Sequence, residues 1–170
     1  MVVVDTEAEF DWGKPLSRLA TSVRSVRYQV RAHRIFEWYR IIPTYVVDFA
    51  VASQPDGVQP LKELLADRRC VIGAHLQPWE NPPFVEDIGD LRNSYPGNLP
   101  LNLEREKLQR LTEAIEDSFQ LHPLIYRAGR FGVGPNSARL LTEFGYRIDT
   151  SVVPHADFTR EGGPDSKACS

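Results

Sequence analysis

The chain lacks what would place it in a membrane, in a disulfide-stapled scaffold or on a polyanion. No apolar run in its 170 residues approaches the length of a bilayer span, so no transmembrane helix is expected. Two cysteines are too few for a disulfide framework: Cys70 sits in an apolar segment and reads as core, and Cys169 lies in a polar tail. Excess charge of one sign is missing as well. Lys and Arg number 20 against 23 Asp and Glu, and a net charge of −3 gives no bulk attraction to nucleic acid or an anionic membrane. Met1 runs straight into Val2-Val3-Val4 with no basic or apolar leader, which predicts a cytoplasmic protein. Internal repeats and low-complexity tracts are also lacking. What is present is ordinary for a globular domain, 42% hydrophobic and 25% charged, and the length suits a single domain over residues 1–170.

Strand-like and helix-like patterns alternate along the chain. Val2-Val3-Val4 reads as a buried strand ending in Asp5-Thr6-Glu7. Arg24 to Tyr39 is helical, with Val26, Val30 and Phe36 on one side and Arg24, Arg27, Arg31 and Arg34 on another. After Pro43, Tyr45-Val46-Val47 is a second strand. A helix opens at Asp56-Gly57 with Pro60 in its first turn and carries Leu61, Leu64 and Leu65. Cys70-Val71-Ile72 is a third strand stopping at Gly73, followed by an irregular proline-rich stretch from Pro78 to Pro100. Asn102 caps a helix through Leu108, Leu111, Ile115 and Phe119, and Leu124-Ile125-Tyr126 is a fourth strand. A helix from Gly134-Pro135, closed by Gly145, leads to a fifth strand at Arg147-Ile148-Asp149. This alternation predicts an α/β fold of parallel βα units.

The polar clusters fall at the strand ends: Asp5 and Glu7, then His75 and Gln77, then Arg127 and Arg130. In a parallel sheet or barrel those ends converge on one face, where ligands and catalytic groups collect. Two acids two positions apart on a strand end point the same way, and such a pair can divide the labour of general base and metal ligand.

The ordered set resembles the polysaccharide deacetylases with the NodB-homology domain, carbohydrate esterases acting on N-acetylated sugars. Val4-Asp5-Thr6-Glu7 resembles the family's acidic pair, Ile72 to Trp79 its histidine motif, and Tyr126 to Gly132 its arginine segment. The resemblance implies a (β/α) barrel and a metal-dependent hydrolase that removes an N-acyl group from a carbohydrate. It makes Asp5 the general base and Arg127 the residue that holds it, with Arg130 a second candidate. Glu7 and His75 become ligands of a divalent metal, zinc foremost. Two departures stand out. The family's second histidine lies two or four residues beyond the first, where this chain has Gln77 and Trp79, so Gln77 is left as a weaker, uncharged ligand. The family fold also continues into strands bearing a late aspartate and a general-acid histidine, which predicts an incomplete barrel here, with a free edge near Arg147 to Thr150 open to self-association. A non-catalytic carbohydrate-binding domain and a gene fragment without activity are the alternatives.

Trp79, beside Pro78 and near Phe84, offers a sugar-stacking face and equally a cover for the core. The arginine stripe reads as a solvated helix face, His155 as an exposed loop residue, and His33 and His122 as structural or exposed. Gly129, Gly132 and Gly134 do not have the spacing of a nucleotide-binding fingerprint.

Overall fold

A computed structural model describes residues 1–167, so Cys169 lies outside the described residues. Five parallel strands form one sheet: β1 (Val3–Thr6), β2 (Thr44–Val47), β3 (Val71–Leu76), β4 (Ile125–Ala128) and β5 (Ile148–Asp149). Their spatial order is their chain order, β1-β2-β3-β4-β5. A doubly wound sheet reverses direction at a switch point, whereas an unbroken sequential order is that of a (β/α) barrel. Curvature agrees. In a flat sheet β1 and β4 would lie roughly 14 Å apart, three strand spacings, yet the side chains of Asp5 and Arg127 meet across that gap.

The central strands are buried on both faces, every residue of β2 and all but the first of β3, as strands with helical crossovers must be. Helices α1 (Val26–Trp38), α2 (Phe49–Ser53), α3 (Pro55–Ala66), α4 (Leu101–Phe119) and α5 (Ser137–Glu143) supply the rest of the core, with Leu61, Leu64, Leu108, Leu111, Ile115 and Leu140 on their inner faces. Among the described residues no helix is long and apolar enough to cross a membrane.

Several local expectations are corrected. Gly73 does not end β3, which runs on to Leu76 and takes His75 into the strand. That glycine answers to packing, since a Cβ there would sit 2.7 Å from the Ile125 carbonyl oxygen and 2.9 Å from Val46. The short helix α2 is an addition to the expected elements, and Asp48 caps it by accepting from the Val51 amide at 2.7 Å. Pro55 opens α3, so Pro60 lies inside the helix rather than in its first turn. Pro100, not Asn102, takes the cap position of α4. His33 is buried against the Tyr45 hydroxyl at 2.9 Å. The closing of α5 agrees: Gly145 follows its last turn with φ +78°, a left-handed position suited to glycine.

Candidate functional site

The C-terminal ends of β1, β3 and β4 open onto a cavity of about 320 Å³ lined by Asp5, Glu7, Trp12, His75, Gln77, Tyr95, Ala128, Arg130, Phe131, Phe158 and Glu161. A cleft of similar size between α1 and α3, about 380 Å³, is lined by mixed charges such as Arg24, Arg27, Asp56 and Glu63 and lies away from the strand ends. Register builds the first of these. His75 on β3 is the lateral partner of Arg127 on β4, so the two residues stand side by side on the sheet.

Arg127 donates from Nη1 to Asp5 Oδ1 at 2.7 Å and from Nε to the Thr150 hydroxyl at 3.2 Å, which fixes the guanidinium between the two. His75 Nδ1 lies 3.0 Å from the Arg127 carbonyl oxygen, so the imidazole donates there and turns Nε2 into the cavity. Nε2 stands 3.3 Å from Glu7 Oε2. Burial opposes protonation of His75, but the carboxylates of Glu7, Asp5 and Asp48 outweigh it, and the imidazole is raised above its usual range. Gln77 completes the group, with Nε2 donating to Glu7 Oε2 at 2.5 Å and 3.2 Å from His75 Nε2.

The spacing of Glu7 and His75 suits two ligands each about 2 Å from one shared divalent ion. Among the described residues no three His, Cys, Asp or Glu side chains gather into a full ligand set. Beside them Gln77 presents its amide nitrogen, while its Oε1, buried without a hydrogen-bond partner, lies against Gly129. Glu7 and His75 thus fit a divalent ion as two strong ligands, and Gln77 could add a neutral one by turning its amide.

Behind His75 lies a pair of buried acids, Asp48 and Glu80, absent from the residues expected at the site. Burial raises the Asp48 carboxyl above its usual range, and the amides of Ala8 at 2.6 Å and Val51 at 2.7 Å, from which it accepts, work against that rise. Burial, reinforced by the Asp48 charge, raises the Glu80 carboxyl well above its usual range, so Glu80 carries the proton of the pair. Asp48 directly follows an apolar run, as Asp5 follows Val2-Val3-Val4, and that position is its signal in the sequence.

The aromatic wall differs from the expected one. Trp79 is 1% exposed, packed edge-on against Phe10 and Trp12, so it covers the core and offers no face for a sugar. Trp12, 58% exposed, holds the cavity-side position instead. Phe131 stacks on Phe158 with ring centroids 6.1 Å apart and lies under the Arg127 guanidinium. Arg130 lines the cavity, paired with Glu161, bonded to the Ser94 hydroxyl at 2.7 Å and seated over the Tyr95 ring. His155 is exposed, His122 pairs with Glu116, and the four arginines of α1 and its N-terminal approach face solvent.

No family model matches the chain, and no curated protein does. Solved structures do. A mutant of BA3943 from Bacillus anthracis, described as a CE4 family pseudoenzyme with restored enzymatic activity, superposes with a TM-score of 0.59 at 15% identity over 94% of this chain and 46% of that one. IcaB from Ammonifex degensii gives 0.55 at 18% identity over 88% and 57%. The chitin deacetylase from the fungal pathogen Colletotrichum lindemuthianum gives 0.53 at 16% identity over 93% and 58%. The chain thus spans about half the length of these structures. At such identities the likeness establishes the fold: this is the α/β fold of the CE4 polysaccharide deacetylases, as the three sequence motifs implied.

Proposed function

We propose that residues 1–170 are a single deacetylase-type domain that hydrolyses an N-acyl amide on a carbohydrate. One observation carries the reading: Asp5, whose carboxylate Arg127 holds, lines the same cavity as the Glu7–His75 contact, at the C-terminal ends of a parallel sheet. The likeness to a chitin deacetylase supports a carbohydrate substrate. Asp5, held by Arg127, accepts the proton of the attacking water as general base. Glu7 and His75 would hold a divalent cation, zinc foremost, with Gln77 as the third and weaker ligand. When bound, such a cation lowers the pKa of water and stabilises negative charge on the acyl oxygen. Trp12 presents an exposed ring on which a pyranose can pack, and Arg130 lines the same wall.

Release of acetate from N-acetylated chito-oligosaccharides tests this. Asp5→Asn should lower the rate about 100-fold or more, the usual weight of a positioned general base. An Asn variant as active as the parent would overturn the assignment. A second reading, a non-catalytic carbohydrate-binding domain, is favoured by the Gln77 amide, whose NH₂ rather than its oxygen faces Glu7 and His75. Oligosaccharide binding that persists in Asp5→Asn, with no acetate released by either protein, would select it. We further propose that copies of the chain associate through an open sheet edge.

A further inference from the structure

The Gln77 amide has one satisfied end and one orphaned end, both buried. Its NH₂ group spans the two atoms that face each other across the ligand position, Glu7 Oε2 at 2.5 Å and His75 Nε2 at 3.2 Å. Because His75 Nδ1 donates to the Arg127 carbonyl, Nε2 of the neutral ring is an acceptor, and each hydrogen of the amide has an acceptor to meet. The other end points at a second acceptor. Oε1 has no hydrogen-bond partner, and both it and the Leu76 carbonyl oxygen crowd the same face of Gly129, where a Cβ would meet them at 2.3 and 2.5 Å.

A half-turn about the last side-chain bond exchanges the two ends with almost no change of shape, and that torsion is broad and nearly two-fold. It would bring Oε1 to Glu7 and His75 and aim NH₂ at the side of Gly129 where the Leu76 carbonyl lies. Without a cation the turned form sets three lone pairs against one another. With a cation at their shared point, the same form gives the amide oxygen the partner it lacks, and turns the NH₂ toward the side where the Leu76 carbonyl lies.

We infer that Gln77 is a turning ligand: its amide bridges Glu7 and His75 when the site holds no cation, and rotates to present its oxygen when a divalent cation enters. This rests on the proposed cation site, and it deepens that reading by assigning a residue that limits occupancy. Entry of the cation breaks two hydrogen bonds and gains only a neutral oxygen donor, so binding is weak and exchangeable. An imidazole at position 77 would bind more tightly.

The test is zinc titration of ¹⁵N-labelled protein, following the Gln77 side-chain NH₂ signals (assigned by their absence in Gln77→Met). Calorimetry on the parent, Gln77→His and His75→Ala runs alongside. The expected results are weak zinc binding that requires His75, a shift of the Gln77 NH₂ pair on saturation, and affinity in Gln77→His higher by about 10- to 100-fold or more. Zinc binding that needs His75 but leaves the NH₂ pair unmoved overturns the turning ligand and leaves the cation site standing. Zinc binding in Gln77→His no tighter than in the parent does the same. Absence of zinc binding in both the parent and Gln77→His, or binding that survives His75→Ala, overturns the cation site and the inference with it. Should a variant fail to fold, triple-resonance assignment of the parent's own NH₂ signals still decides the matter.

Discussion

At the scale of single residues, the site separates into groups whose type was readable from sequence and groups whose role only contact reveals. Asp5, Glu7, His75 and Arg127 were legible because each sits at the end of an apolar run; register sets His75 beside Arg127, and the curvature of the sheet brings Asp5 and Glu7 to them. Trp79 misled because an aromatic beside a proline looks the same from sequence whether it faces a cavity or the core. Glu80, one residue on, is a buried acid with no protein donor for either oxygen. Its carboxyl is raised by burial and by Asp48, so the folded state binds its proton more tightly than the unfolded chain does. Stability linked to Glu80 is therefore full below the ordinary glutamate range and declines as pH rises through the raised folded value. Glu80→Gln keeps an N–H donor for Asp48 and removes the ionisation. The melting temperatures of parent and variant should agree in acid and diverge with rising pH, the variant being the more stable. Thermal unfolding across that range checks this, and two parallel curves would rule out Glu80 as the proton carrier.

At the scale of elements, α4 does more than cover the sheet. Its Lys107 is fully buried and donates to the carbonyls of Pro78, Asn81 and Pro83 at 2.9, 2.5 and 2.7 Å, while pairing with Glu86 at 3.0 Å. Burial draws the ammonium below its usual pKa and Glu86 opposes that shift. One side chain thus gathers the irregular segment that follows β3 and carries Trp79 and Glu80. The sequence showed the helix through its apolar spacing and left Lys107 without a role. Nothing local marks a lysine whose partners come from a loop more than twenty residues away. Lys107→Met removes the donor to three carbonyls and leaves the buried Glu86 with only the more distant Arg18, at 3.7 Å, which should cost about 3 kcal/mol or more. Urea unfolding measures the loss, and a change under about 0.5 kcal/mol, the range of ordinary surface substitutions, would show that the loop holds its own shape.

At the scale of the whole molecule, the sequential strand order and the curvature that joins β1 to β4 make this the sheet of a (β/α) barrel, and the alternation of patterns had announced it. Closure was not readable, because a strand's neighbour on its far side is set by contacts distant in sequence. Among the described residues β1 and β5 each pair on one side only. β5 presents Ile148, 43% exposed, and Leu124 and Val152 nearby are exposed as well. An unpaired parallel edge beside exposed apolar side chains is a template for another strand. Sedimentation velocity across a concentration series should show mass rising above that of the monomer. Ile148→Lys places a charge on the edge, where desolvating it opposes strand pairing, and should shift the equilibrium back toward monomer while the folded signal by circular dichroism is kept. Association that the lysine leaves untouched would move the contact elsewhere, to the apolar end of α1 around Trp38 and Tyr39, which is also exposed. A monomer at every concentration would mean that β5, only two residues long, is too short an edge to recruit a partner.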